Sequence, residues 1–284
     1  SYKILIFHHL RRNENLKFVQ ILAALNRMND SSKLIKKADL LLDISSLLMV
    51  SGANTTRINL SISRFASALN TKASSFISHK TIVMTLYDKK TNLSCTRVKK
   101  IPPYIINFTF ISAISKASWK ALSEEWSLEQ IAEEIKRIQT LKRYPRWVVL
   151  IAVSLAGAGF CNIFKGDYLN MLVAFVSTFI GLYIFQETHK HKYNLYIRLF
   201  LGSFVASSIA SLAVIYNIGA HPSTALATSI LFLVPGVPLI NSFTDLMDSK
   251  IINGMVRFTT GAMIVFAMAI GLFLAMFIFQ INLR

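Results

Sequence analysis

A chain of 284 residues that is 53% hydrophobic and only 16% charged, with a mean hydropathy of +0.48, is too apolar for an ordinary soluble protein and reads as a membrane protein. Its formal charge of +17 is unevenly spread: residues 1–145 hold 23 of the 31 Lys+Arg and 10 of the 14 Asp+Glu, a surplus of +13, and the rest is nearly free of charge. No zinc-ligand spacing, helix-turn-helix pattern or aromatic ribonucleoprotein motif accompanies that charge, so the expected partner is membrane lipid on the cytoplasmic side and not nucleic acid.

In chain order, residues 1–32 form a basic tail. Ile4-Leu5-Ile6-Phe7 is too short an apolar core for a signal peptide, and His8, His9, Arg11 and Arg12 follow it. Phe18, Ile21, Leu22 and Leu25 share a helical face, which fits either a helix on the membrane surface or a loosely held extension. From Lys33, Leu34, Ile35, Ala38, Leu41, Leu42, Leu48 and Met49 recur at helical spacing up to Gly52, a candidate C-terminal cap. A second helix begins near Asn54 or Thr55 and buries Ile58, Ile62, Phe65 and Leu69.

The period then falls to two. Ile82, Met84 and Leu86 alternate with Val83 and Thr85, Asp88–Asn92 turns, and Leu93–Val98 returns, with residues 72–78 as a third strand. Helices resume at Asn107, with Phe108, Ile111, Ile114 and Leu122 as the buried stripe. The next opens with Ser127 and Gln130 in capping-box spacing and buries Ile131, Ile135, Ile138 and Leu141. Residues 33–145 thus read as an α+β domain.

Tyr144-Pro145-Arg146-Trp147 supplies aromatic and basic anchors for entry into a bilayer. Five apolar segments follow, about 147–164, 168–186, 195–216, 223–241 and 256–281, each near the length that crosses a membrane. The fold class expected is a membrane protein with a cytoplasmic α+β domain followed by an all-α bundle of five transmembrane helices over 146–284. Basic residues fall in alternate loops (Lys190, Lys192 and Arg198, then Lys250 and Arg257), which puts residues 1–145 in the cytoplasm and the C-terminus outside. Small residues, including Gly157, Gly159, Gly202, Gly261 and Gly271, permit close helix approach. Ser177, Thr178, Ser203, Ser207 and Ser208 are able to line a path or to bond their own helix backbone. Cys95 and Cys161 lie in different regions and imply neither a disulfide nor a metal site, and no cofactor is expected.

The most informative stretch is Leu231–Asp245, where an apolar run is broken by Pro235, Gly236 and Pro238 and leaves lipid through Asn241 and Asp245. Proline removes a donor and clashes with the preceding turn, so the helix kinks or breaks near Pro235. Such a break is tolerated only against protein or a watery cavity. A packing kink is the plain alternative. In the functional reading Pro238 sits in the first turn of a half-helix whose amides face a substrate carboxylate. Gly236 then allows close backbone approach. Asn241 bonds the ligand or caps the break, and Asp245 pairs with Arg257 at the cytoplasmic mouth.

Pro235-Gly236-Val237-Pro238-Leu239-Ile240-Asn241, followed by Asp245-Leu246 and Gly254-Met255-Val256-Arg257, resembles the signature of the threonine/serine exporter family. Ser51-Gly52-Ala53-Asn54-Thr55-Thr56-Arg57-Ile58 is similar to that family's cytoplasmic motif, with Gly52, Thr55, Thr56 and Arg57 at its centre. Asn59 stands where an acidic residue is common. The resemblance covers roughly residues 34–281. It implies a cytoplasmic α+β domain joined to a membrane bundle in the cell's inner membrane that exports small polar metabolites: threonine and serine, or a dicarboxylate such as succinate. It also implies that this chain is the larger half of a split exporter. Five spans are few to enclose a pathway, so a homo-oligomer or a second five-span subunit is the expected partner.

Two other readings stand beside transport, a membrane-anchored hydrolase and a regulatory or oligomerisation module. Ser51, Thr55, His79 and Asp43 supply the residue types of hydrolysis, yet no nucleophile elbow or zinc-protease helix is present.

Overall fold

The computed structural model describes residues 27–78, 80–102, 106–142 and 144–281. The apolar face expected at Phe18–Leu25 and the candidate base His79 lie outside the described residues. The chain divides into two compact units, Ser1–Leu141 with Asp245–Asn253, and Lys142–Thr244 with Gly254–Arg284.

The first unit opens with helix α1, described over 27–50. Gly52 ends it at φ +96°, where Ala53 N–H reaches Leu48 O and Gly52 N–H reaches Met49 O, the paired bonds of a Schellman cap. Helix α2 (Thr55–Ala68) follows, its Asn54 side chain accepting from Arg57 N–H. Strands β1 (Thr71–Ile77), β2 (Thr81–Asp88) and β3 (Ser94–Lys100) form an antiparallel sheet in sequence order. Ile82, Met84 and Leu86 face inward, as the alternation requires. Helices α3 (Phe108–Ser123) and α4 (Leu128–Gln139) close the unit, the latter with the Ser127–Gln130 capping box intact. Leu41, Ile44, Leu48, Ile58, Ile62, Phe65, Ile114, Ile131 and Ile138 are among the fully buried side chains of one core.

Three positions of the predicted stripes differ. Phe108, Leu122 and Leu141 are exposed. On α3 the small residues Ala117, Ser118 and Ala121 join Phe110, Ile111 and Ile114 on the inner face, so the bulky flanking residues face out. Leu141 lies beyond the end of α4.

The second unit contains α5 (Arg146–Ile163), α6 (Tyr168–Lys190), α7 (Leu195–Ile215) and the short α8 (Pro222–Thr228). A 3-10 turn (Leu231–Leu233) then leads to α9 (Gly236–Met247) and α10 (Ile251–Ile278). The ends of α9 and α10 that flank their connection fall in the first unit. Among the described residues four helices, α5, α6, α7 and α10, are long and apolar enough to cross a membrane; the segments Pro222–Leu233 and Gly236–Met247, bent by 64°, make a fifth candidate if taken as one span. The fourth span expected at 223–241 is therefore two helical pieces. The loop expected at 242–255 is mostly helix, because α9 runs on to Met247 and α10 starts at Ile251. A second Schellman closure makes so short a link feasible: Lys250 N–H reaches Asp245 O and Ser249 N–H reaches Leu246 O, with Ser249 left-handed at φ +59°.

Small residues set the approach of α6, α7 and α10. A Cβ on Gly181 would lie 2.7 Å from Ala206 Cβ and 2.9 Å from Gly202 O, and one on Gly271 would lie 2.6 Å from Phe200 O. Larger side chains there would push the helices apart.

Candidate substrate site at a broken helix

The break is wedged among long helices on its upstream side. Leu233 packs with Leu199, Ile264, Ala267 and Met268. Thr178 Oγ1 donates to Ser229 O at 3.4 Å. At the break Val234 is extended (φ −58°, ψ 126°), Gly236 N–H turns back to Val234 O, and Leu239 N–H bonds Pro235 O. Pro238 is thus the third residue of α9, where the amide it lacks would have had no intrahelical partner.

Downstream, α9 and α10 lie together as a hairpin. A Cβ on Gly261 would meet Leu239 Cδ2 at 2.7 Å, Ser242 Oγ donates to Gly254 O at 2.8 Å, and Phe243 meets Phe258 edge-on at 6.4 Å. Gly261 is therefore where α9 and α10 approach closely, whereas a Cβ built on Gly236 meets nothing within 4 Å. Pro235 is buried, Asn241 is half-buried, and Arg257 is buried on α10.

Within the first unit Asp245 is fully buried and not solvated at an interface. Its carboxylate accepts from Thr55 N–H (3.1 Å) and from Thr55 Oγ1 (3.1 Å). Asn253 Nδ2 donates to Ile77 O (2.7 Å) and to Thr55 Oγ1 (3.3 Å). Thr56 Oγ1 donates to Asp248 and accepts from Lys250 Nζ. The first turn of α2 therefore carries a carboxylate at its positive end, where an orphan amide and the helix dipole favour it. Of the cytoplasmic motif, Thr55 and Thr56 enter this cluster, Gly52 ends α1, and Arg57 is exposed on α2. Asn59 accepts from Ser75 Oγ of β1 at 2.9 Å, a structural bond that does not require an acid.

Two of the residues proposed for hydrolysis, Asp43 and Thr55, have other engagements. Asp43 pairs with Lys99 of β3, beside the Asp39–Arg97 pair, and the Thr55 hydroxyl belongs to the cluster above; Ser51 is buried and its main-chain carbonyl accepts from Asn107 N–H. Asp167 and Glu187, the charges near span ends, are also engaged. Asp167 accepts from Asn170 N–H and Ala220 N–H, and Glu187 pairs with Arg146 and Lys190. Among the candidate path hydroxyls, Ser203 bonds Met268 O and Ser208 bonds Phe204 O of its own helix. The hydroxyls of Ser177 and Ser207 are buried without a hydrogen-bond partner among the described residues, and so is that of Ser211, which the sequence reading missed. Asn253 and Ser242 were missed too. Both are single polar residues whose partners lie in another element, and no local pattern marks them. Among the described residues no group of His, Cys, Asp and Glu is placed to hold a metal ion.

The chain is 28% identical over 231 residues to the "Probable succinate transporter subunit YjjP" of Klebsiella aerogenes, covering 81% of this chain and 88% of the relative. It is 28% identical over 237 residues to the protein of the same description from Escherichia coli K12, covering 83% and 91%. No solved structure matches significantly. The ThrE family model, described as "Putative threonine/serine exporter", matches residues 39–279. With nearly the whole described chain inside that match and four to five helices fit to cross a bilayer, this multi-pass membrane protein belongs to the ThrE family of threonine/serine exporters.

Proposed function

We propose that this chain is the larger subunit of a split exporter that moves a small carboxylate metabolite, succinate or the amino acids threonine and serine, across the inner membrane. The observation that carries this reading is the helix broken at Val234-Pro235-Gly236, with open space beside Gly236 and the first turn of α9 behind it. Amides at the start of α9 favour a substrate carboxylate. Asn241, one to two turns further along α9, supplies a second polar contact, and Asp245 and Arg257 are assigned to the cytoplasmic side of the path. The basic residues Arg146, Lys190, Arg198, Lys250 and Arg257 support a cytoplasmic first unit, with the C-terminus outside. Five spans enclose little by themselves, and the relatives are described as subunits, which supports assembly with a second five-span subunit or with further copies of this chain.

The test is accumulation of succinate, threonine and serine inside and outside cells expressing this chain alone and with a small five-span partner. Export is expected with the partner. Gly236→Leu, which fills the open space, and Asn241→Ala are expected to cut export at least tenfold at matched membrane expression. Wild-type export by both variants would sink the site assignment, and no export from correctly inserted protein in either setting would sink the transport reading.

A further inference from the structure

We infer that the first turn of α2 is a positioning device for transport, with Thr55 and Asn253 holding Asp245 so that the α+β domain governs the stiffness of α9. The inference rests on the transport reading; the hydrogen-bonded cluster it starts from lies within the first unit, and α9 leads from there to the break.

Asp245 is fully buried, and Thr55 and Asn253 are 3% and 5% exposed. A carboxylate taken from water is costly unless hydrogen bonds replace its hydration. Here Thr55 supplies two, one from the amide and one from the hydroxyl. The same hydroxyl accepts from Asn253 Nδ2, so a single side chain joins both ends of the α9–α10 link. Asn253 is fixed in turn by its bond to Ile77 O, the last residue of β1. The link itself is three residues long and closed by the bonds at Ser249 and Lys250. It has little freedom of its own, and its position follows that of α2 and β1.

Chain geometry then carries the constraint onward. Asp245 is part of α9, two turns or so beyond Pro238 and Gly236. A continuous helix of twelve residues transmits a shift of one end to the other, because its i to i+4 bonds resist bending away from proline or an inserted group. The helix lies downstream of a proline break, which is where a half-helix is freest to pivot. Loosening the Thr55–Asp245–Asn253 cluster therefore frees the element on which the break is built.

This assigns a role to Asn253, which the hydrolase reading leaves idle, and a different role to Thr55. Thr55 is more than a helix cap, since Asn54 already caps α2 by accepting from Arg57 N–H. Its specificity is for a β-hydroxyl that donates to a carboxylate and accepts from an amide at once. Serine meets that demand and valine, of nearly the same shape, does not.

The experiment uses the full chain in detergent or liposomes, with its partner subunit where export requires one. Thr55→Val and Asn253→Leu are compared with Thr55→Ser. The first two are expected to lower turnover about tenfold with KM unchanged, and Thr55→Ser to stay near wild type. Amide hydrogen exchange read on the same samples is expected to speed up across 236–244 as well as 245–253 in Thr55→Val and Asn253→Leu. Wild-type turnover in both variants would overturn the inference. So would faster exchange confined to 245–253 and the start of α2, which is what a local staple gives. If the wild-type protein moves none of the metabolites tested, the transport reading fails by itself and the exchange pattern over 236–244 still decides this one. If Thr55→Val does not fold, Asn253→Leu, which leaves both Thr55–Asp245 bonds in place, carries the same two readouts.

Discussion

The two units bury opposite kinds of residue. In the first, the inaccessible interior is made of Phe65, Leu41, Ile44, Ile58, Ile62, Met84 and Ile114. In the second it is made largely of Ala174, Ser177, Gly181, Gly202, Ser203, Ala206, Ser207, Ala210 and Ser211, while Phe160, Phe164, Phe266, Phe273 and Phe277 face outward. Water drives the first arrangement, because each large apolar side chain removed from it stabilises the fold. In a bilayer the surroundings are as apolar as the side chains, so nothing drives leucine or phenylalanine inward. Small residues then take the interior because they let helices touch.

That contrast is most directly broken at Gly181. A leucine there would drive its Cβ against Ala206 Cβ at 2.7 Å and the Gly202 carbonyl at 2.9 Å, and a backbone contact cannot be relieved by changing a rotamer. Gly181→Leu is expected to abolish monodisperse protein in size-exclusion chromatography from detergent. Gly159→Leu on α5, where a Cβ meets nothing within 4 Å, is expected to elute as wild type. Equal behaviour of the two would mean that the glycines of the spans are not contact points.

A smaller effect sharpens the same comparison with one residue type. Phe65 is 0% exposed in the first unit and Phe273 is 69% exposed in the second. Phe65→Ala is expected to cost about 3–5 kcal/mol, by lost transfer energy and the cavity left behind. Phe273→Ala removes no protein contact of that kind and is expected to leave the melting temperature in lipid nanodiscs within about a degree of wild type. A comparable loss at Phe273 would mean that this face of α10 is covered by protein and not by lipid, as a subunit contact would be.

The two units also differed in how far the sequence could be read. Caps and periods are local, so the Schellman end at Gly52, the Ser127–Gln130 capping box and the alternation of Ile82, Met84 and Leu86 were all legible. The proline break was legible too, since Pro235 acts on its own helix. Its surroundings were not: the contact between α9 and α10 lies at Gly261, twenty-five residues on, and a Cβ on Gly236 meets nothing within 4 Å. Nor was the burial of Asp245, whose partner Thr55 is 190 positions away. An acidic residue after an apolar run reads as the exit from lipid, and only the fold brings α2 to it. Phe108 and Leu122 misled for another reason. Where alanines and serines line a helix face, hydrophobic size ceases to mark the inside, the same inversion that governs the spans.

The smallest effect concerns the charge exposed on the surface of the first unit. Glu134 of α4 accepts two hydrogen bonds from the Arg137 guanidinium, both 2.6 Å. Those bonds hold its carboxyl below the ordinary glutamate value, against a partial opposing effect of burial. A carboxyl whose folded pKa is depressed contributes stability above its unfolded pKa, about 4.3, and that contribution disappears as pH falls through the folded value. The pair is three residues apart on a largely exposed helix face, so the contribution is small. Glu134→Gln is therefore expected to lower the melting temperature slightly at pH 7, and the gap from wild type is expected to close in acid below the depressed pKa. A gap that stays constant across that range would show that glutamine disturbs α4 by packing and not by removing the charge. In that case the surface of the first unit would be held, like the interior of the second, by shape alone.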